Sequence, residues 1–205
     1  MKILLINGSP HANGCTFTAL NEAQKVFADA GIEAEIFHIG TKPVHGCIAC
    51  GHCKQSGLNK CIFWDDPCNT LIEKITEADG LIIGSPVYYA GMNGALKALL
   101  DRIFYAKKSF VGKPAAAVVS CRRGGASAAF DQINHYFTIS NMPIVSSQYW
   151  NQIHGKTADE ARQDIEGLQT MRTLAQNMIW LLKNNQLGHE PLPDYEPWTP
   201  TNFIR

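Results

Sequence analysis

Cys47, Cys50, Cys53 and Cys61 form the run C-x2-C-x2-C-x7-C. Three thiolates at that spacing can converge on one face of an iron-sulfur cluster. Cys15, Cys68 and Cys121 bring the cysteines to seven, and an odd count behind no recognisable secretory leader argues against a disulfide framework. Three readings of the run stay open: an iron-sulfur cluster, a bare or redox-active thiol loop, and zinc with His45 and His52 interleaved. Structural zinc normally uses two separated ligand pairs, which this run lacks. Cys68 follows Pro67 and is expected to be buried packing; Cys121 lies in a loop that could approach a bound ligand.

Three segments rich in small residues and donors carry the rest of the chemistry. The first, Gly8-Ser9-Pro10-His11-Ala12-Asn13-Gly14-Cys15-Thr16, has neither the G-x-G-x-x-G spacing of a dinucleotide loop nor the G-K-[ST] ending of a Walker loop. Side chains of Ser9, Asn13 and Thr16, with backbone N–H groups opening a helix, suit a compact phosphate dianion instead, as on a monophosphate ester. The second, Ser85-Pro86-Val87-Tyr88-Tyr89-Ala90-Gly91, offers apolar area and backbone donors to a flat ring. The third, Ser120-Cys121-Arg122-Arg123-Gly124-Gly125, offers two cations to an electron-rich ring edge or to the phosphates of a second nucleotide.

The elements that must position these loops alternate along the chain. Residues 3–6 read as a buried strand, and Phe17, Leu20, Ala23, Phe27 and Ala30 follow at helical spacing. Ile32, Ala34 and Ile36 alternate with Glu33 and Glu35 as in a half-buried strand. Asp66 and Pro67 read as the cap and first residue of a helix carrying Leu71, Ile72, Ile75 and Ala78. Leu81-Ile82-Ile83 is a strand stopped by Gly84-Ser85-Pro86, and Leu96, Leu99, Leu100, Ile103 and Phe104 mark the next helix. Ala115 to Val119 is the fourth strand, Phe130, Ile133 and Phe137 mark a helix, and residues 142–149 supply a fifth, weaker strand. A final long helix opens at Thr157 with Glu160 three residues on, a capping box. Such alternation predicts right-handed crossovers and an α/β parallel sheet with helices on both faces, whose ligand crevice lies beyond the carboxyl ends of the strands.

Composition sets the class. With 205 residues, 45% hydrophobic and 18% charged, one packed domain is expected over 1–187, followed by an extended Pro-rich arm over 188–205. Lys plus Arg and Asp plus Glu each number 18, so no net field attracts nucleic acid or anionic lipid. The same balance weighs against an electron carrier that steers its encounters by charge. The opening apolar run stops at Asn7-Gly8, too early for a signal core or a membrane span, and a cytoplasmic location is expected.

Together these segments resemble the NAD(P)H-dependent FMN reductase branch of the flavodoxin-like superfamily over most of residues 1–183. The carriers are Lys2-Ile3-Leu4-Leu5-Ile6-Asn7-Gly8-Ser9-Pro10 with Asn13-Gly14-Cys15-Thr16, the Cys47 to Cys61 run ahead of Asp65-Asp66, Ala78-Asp79-Gly80 leading into Ser85-Pro86-Val87-Tyr88, then Leu96-Lys97 and Asp101-Arg102. The resemblance implies a doubly wound five-stranded parallel sheet of order 2-1-3-4-5. It implies FMN, with its phosphate at Ser9, Asn13, Gly14, Cys15 and Thr16 and its ring at Pro86, Val87, Tyr88, Tyr89, Ser120, Arg122, Arg123, Gly124 and Gly125. It implies NAD(P)H as co-substrate, a small acceptor such as a quinone, a nitro or azo compound, a metal ion or free flavin, and a homodimer or homotetramer. The cysteine run also resembles that of iron-sulfur flavoproteins, in which Cys47, Cys50, Cys53 and Cys61 would hold a 4Fe-4S cluster passing single electrons to FMN. Cys15 departs from the more familiar Asn or small polar residue, and a backbone N–H contact there would tolerate the change. A flavodoxin-type carrier and a module that binds flavin without turnover are the rival readings.

Overall fold

The computed structural model describes residues 1–106, 109–188, 192–193 and 197. Strand β1 (Lys2–Asn7) leads through a loop into helix α1 (Cys15–Asp29), strand β2 (Glu33–His38) and a long irregular stretch holding only the short helix α2 (His52–Gln55). Helix α3 (Cys68–Glu77), strands β3 (Gly80–Tyr88) and β4 (Gly91–Met92), helix α4 (Gly94–Ala106), strand β5 (Ala115–Cys121) and helix α5 (Ala126–Thr138) follow. Strand β6 (Gln152–His154) and helices α6 (Ala158–Gln163) and α7 (Ile165–Gly188) are the last elements among the described residues.

The strands pair in the order β2-β1-β3-β5-β6, all parallel, with β4 folded back antiparallel on β3. Leaving out that hairpin, the order is the expected flavodoxin-like 2-1-3-4-5. Successive strand residues point to opposite faces, so each central strand feeds two cores. Leu4 and Ile6 join Leu81, Ile83, Ala117 and Val119 under α3, α4 and α5. Ile3 and Leu5 join Ile82, Ala116 and Val118 under α1 and α7. Burial on both faces is why these strands read as continuous apolar runs rather than alternating ones.

Three expectations change. Strand β3 does not stop at Gly84-Ser85-Pro86 but continues to Tyr88, because Pro86 sits opposite Ser120 near the sheet end and the chain then turns into the β4 hairpin. The fifth strand is not 142–149. That segment touches β5 through a single bridge, Ala115 to Ile144, and leaves the sheet after Val145, whose N–H donates to Ala115. It returns at Asn151, whose buried side chain donates to the Ala117 carbonyl at 3.0 Å, and the edge strand is Gln152–His154. The final helix is two helices, broken at Asp164, whose carboxylate accepts from His154 N–H and Gly167 N–H and so starts α7 afresh. Helix α7 reaches Gly188, and most of the expected arm, with Tyr195, Trp198 and Phe203, lies outside the described residues. No helix among the described residues is long and apolar enough to cross a membrane.

Candidate functional site

A cleft of about 730 Å³ opens at the carboxyl ends of β1, β3, β5 and β6, at the point where strand order reverses and open α/β sheets place their ligands. Its floor is made by the β1–α1 loop. Asn7, fully buried, accepts from Ser9 N–H at 3.1 Å and donates to the carbonyls of His11 and Ala12. Ser9 Oγ accepts from His11 N–H at 3.1 Å, which leaves its own proton free to donate into the cleft. Gly8 has no room for a side chain: a Cβ there would lie 2.8 Å from the Gly84 carbonyl.

Helix α1 starts at Gly14 with no side-chain cap and no acidic residue in its first turn. Its opening N–H groups and the positive end of its dipole therefore face the cleft uncompensated. Thr16 Oγ1 and Ser120 Oγ share one hydrogen bond at 2.8 Å across the buried floor, so one proton of the two remains available to a ligand. Lys156 and Arg122 line the same cleft, and no carboxylate does. A chain with no net charge has thus gathered a positive site.

One wall is the β3–β4 hairpin. Tyr89 and Ala90 form its two-residue tip with φ of 49° and 57°, the left-handed conformation that a tight hairpin demands and that Asn-Gly normally supplies. Strain of this kind persists only where surrounding structure imposes it. Here Gln132 of α5 accepts from Met92 N–H, Ser85 Oγ accepts from Asn93 N–H, and Gly125, itself at φ 88°, lies directly against Ala90. The hairpin leaves Tyr88 half exposed and Tyr89 wholly so.

Of the residues named from the sequence, Ser9, Asn13, Gly14, Cys15, Thr16, Pro86, Val87, Tyr88, Ser120 and Arg122 line the cleft together. Tyr89, Arg123, Gly124 and Gly125 do not; Gly125 acts from beneath, as the only residue type that fits under Ala90. Sequence reasoning missed the β6–α6 loop, Gly155 to Ala158, which forms the far wall. The capping box at Thr157 and Glu160 was the available signal. It forms in part, with Thr157 Oγ1 accepting from Glu160 N–H and the Glu160 carboxylate accepting from Lys156 N–H. Placing the fifth strand too early hid the loop that follows it. Cys121 ends β5 inside the cleft, and burial raises both its pKa and that of Cys15, so both are thiols at neutral pH.

The other cysteines make a second site. Cys47, Cys50, Cys53 and Cys61 line one small, almost wholly apolar cavity with Phe63 and Arg102 of α4. Among the described residues no three His, Cys, Asp or Glu side chains converge on a single ion, so the thiols share a cavity without sharing a centre. Asn69 of α3 holds the last thiol in place: it accepts from Cys61 N–H at 2.7 Å and donates to the carbonyls of Cys61 and Phe63 at 3.0 Å each. Arg102 is almost wholly buried and pairs with Asp66. Asp66 also accepts from Cys68 N–H and His45 N–H; α3 starts at Cys68 with Pro67 at its cap position, one residue later than expected, so Asp66 serves as an ion-pair partner ahead of the helix rather than as its cap. Burial is the largest influence and works against both charges, but their mutual hydrogen bond, the backbone N–H bonds to Asp66 and the Cys61 bond to Arg102 together outweigh it, lowering the pKa of Asp66 and raising that of Arg102. Burial pushes the Cys68 thiol up to about 12, in keeping with a packing role. His45 stacks on Phe63 at 4.1 Å and pairs with Asp65, and His52 opens α2.

The sequence pattern of the NADPH-dependent FMN reductases matches residues 1–156. An iron-sulfur flavoprotein of Methanocaldococcus jannaschii is 35% identical over 193 residues, covering 89% of this chain and 98% of that protein. An iron-sulfur flavoprotein of Methanosarcina thermophila is 30% identical over 188 residues, covering 89% and 96%. Among solved structures, an archaeal flavodoxin superposes with a TM-score of 0.61 at 15% identity over 89% of this chain and 99% of that one, a likeness of fold. With a parallel sheet in the flavodoxin order, a cation-lined cleft at its switch point and that match over 1–156, the chain belongs to the NADPH-dependent FMN reductase family.

Proposed function

We propose that the protein is an FMN-dependent NAD(P)H oxidoreductase that reduces a small acceptor: a quinone, a nitro or azo compound, a metal ion or free flavin. The observation that carries this reading is the cleft itself, which brings together an uncapped helix N-terminus, free hydroxyl protons, two cations and an aromatic hairpin. The helix N-terminus and hydroxyls suit a phosphate dianion and the hairpin a flat ring. Bound FMN would supply the hydride and electron chemistry, and the chain supplies position and electrostatics. Ser9, Thr16 and the first N–H groups of α1 hold the phosphate. Pro86, Val87 and Tyr88 cover the ring, and Lys156 and Arg122 remain for the phosphates of the nicotinamide donor. Wholly exposed Tyr89 and largely exposed Trp64 favour a homodimer or homotetramer in which a second copy covers the open cleft, and seven free thiols favour the reducing cytoplasm.

The cysteine cavity favours a second, compatible reading, in which the protein also carries a 4Fe-4S cluster. Four cysteine thiolates are the usual ligand set of such a cluster, and all four line the one cavity. Cys47, Cys50, Cys53 and Cys61 would hold it, and the partnerless buried Nη2 of Arg102 suits the excess negative charge of such a group. The test is anaerobic purification followed by visible spectra before and after addition of NADPH or NADH. Flavin bands that bleach support the reductase, and added broad absorption with bound iron supports the cluster. A protein that neither carries nor takes up FMN would overturn the assignment of the cleft.

A further inference from the structure

Arg102 is better placed than a structural ion pair requires. A guanidinium whose task was to hold Asp66 would present two nitrogens to the carboxylate, the bidentate fork that makes arginine the usual choice. Here only Nη1 reaches Asp66, and it also donates to the His45 carbonyl at 3.1 Å. Nε donates to Cys61 Sγ at 3.1 Å, and Nη2 is buried with no partner among the described residues. The side chain is 1% exposed and lies over the ring of Phe63, which also stacks on His45. An unsatisfied N–H on a buried cation is costly, and folding alone gives no reason to keep it. With Asp66 on one side and the thiol cavity on the other, the pair is a fixed dipole whose positive end meets the cavity wall.

We infer that Arg102 sets the reduction potential of the cysteine-held cluster, with Nε bonded to the Cys61 sulfur and Nη2 reserved for the cluster's other sulfur atoms. The inference rests on the cluster reading above and adds to it a positioning residue outside the four thiols. One-electron reduction of the cluster breaks no bond, takes up no proton and adds one negative charge to the cavity. Preorganised donors and a buried positive dipole favour that added charge in a low-dielectric site. Cysteine-held clusters span a wide range of potentials, and hydrogen bonds to their sulfurs are among the levers.

The experiment compares wild-type protein with R102M and R102K, all reconstituted anaerobically with iron and sulfide, by iron content and by EPR-monitored redox titration. In R102M the cluster is expected to become harder to reduce by at least tenfold in the reduced-to-oxidised ratio, about 59 mV for one electron. The flavin potential, read in the same titration, should stay put. R102K, which returns the charge without the fork, should recover part of the shift. If R102M does not fold because Asp66 is left alone, D66N/R102M supplies the neutral pair and is read the same way. Loaded variants with an unchanged cluster potential would overturn the role of Arg102 while leaving the cluster standing. A wild-type protein that binds no iron would overturn both.

Discussion

Replacing Ser9 by Ala and Thr16 by Val in one variant separates phosphate recognition from ring recognition. Both residues are buried, at 3% and 1% exposure, and both changes keep or reduce volume, so neither forces the backbone. Ser9 Oγ already accepts from His11 N–H, and the Thr16 and Ser120 hydroxyls share one bond. The wild-type site therefore has two protons left to donate, and the variant loses the first and weakens the placement of the second. Hydrogen bonds to a charged group contribute about 1.5–3 kcal/mol each, so the loss lies between one bond and two, about 1.5–6 kcal/mol or roughly 10- to 10⁴-fold in Kd. The assay is flavin fluorescence titration of the apoprotein with FMN and, in parallel, with riboflavin, which has the same ring and no phosphate. FMN affinity should fall by at least tenfold with riboflavin affinity little changed. Equal losses for the two ligands, or an FMN affinity within threefold of wild type, would refute the assignment of phosphate to this loop.

Two further outcomes follow from the geometry. Gly125→Ala places a Cβ 2.7 Å from the Ala90 Cα at a φ of 88°, and the strain of about 1–3 kcal/mol should lower the melting temperature. It should weaken FMN and riboflavin alike, because the hairpin serves the ring. Glu22 ties α1 to α7 through Arg172 and also pairs with Lys25. Burial raises its pKa, but those cations outweigh burial and hold it below the ordinary value. The carboxylate therefore contributes stability in full above its unfolded pKa of about 4.3 and loses it as pH falls through the lower folded value. In urea titrations at pH 6 and pH 3, E22Q should cost about 0.5–1 kcal/mol at the higher pH, since the pair is partly exposed, and nothing at the lower.

Local chemistry written in the sequence was enough for the alternation of strands and helices, the buried central strands and the donor-rich loop ahead of α1. A strand covered on both faces must be apolar throughout, as Leu81 to Ile83 and Ala115 to Val119 are, and a loop that meets an anion must be small and rich in donors. Elements whose identity depends on distant partners were not legible. Residues 142–149 have the composition of a strand, yet the strand forms three residues later, because Asn151 can satisfy the Ala117 carbonyl and the earlier segment cannot stay in register beside β5. That shift decided which loop faces the cleft and brought Lys156 into it. Tyr89 and Ala90 carry no turn signal, and their left-handed tip exists only because Gln132 and Gly125, 35 or more residues away in sequence, brace it. Arg102 reads as an ordinary helical cation after Asp101. Only packing α4 against the cysteine loop buries it, pairs it with Asp66 and bonds its Nε to Cys61 Sγ, since burial and electrostatic environment are properties of the assembled fold rather than of residue type.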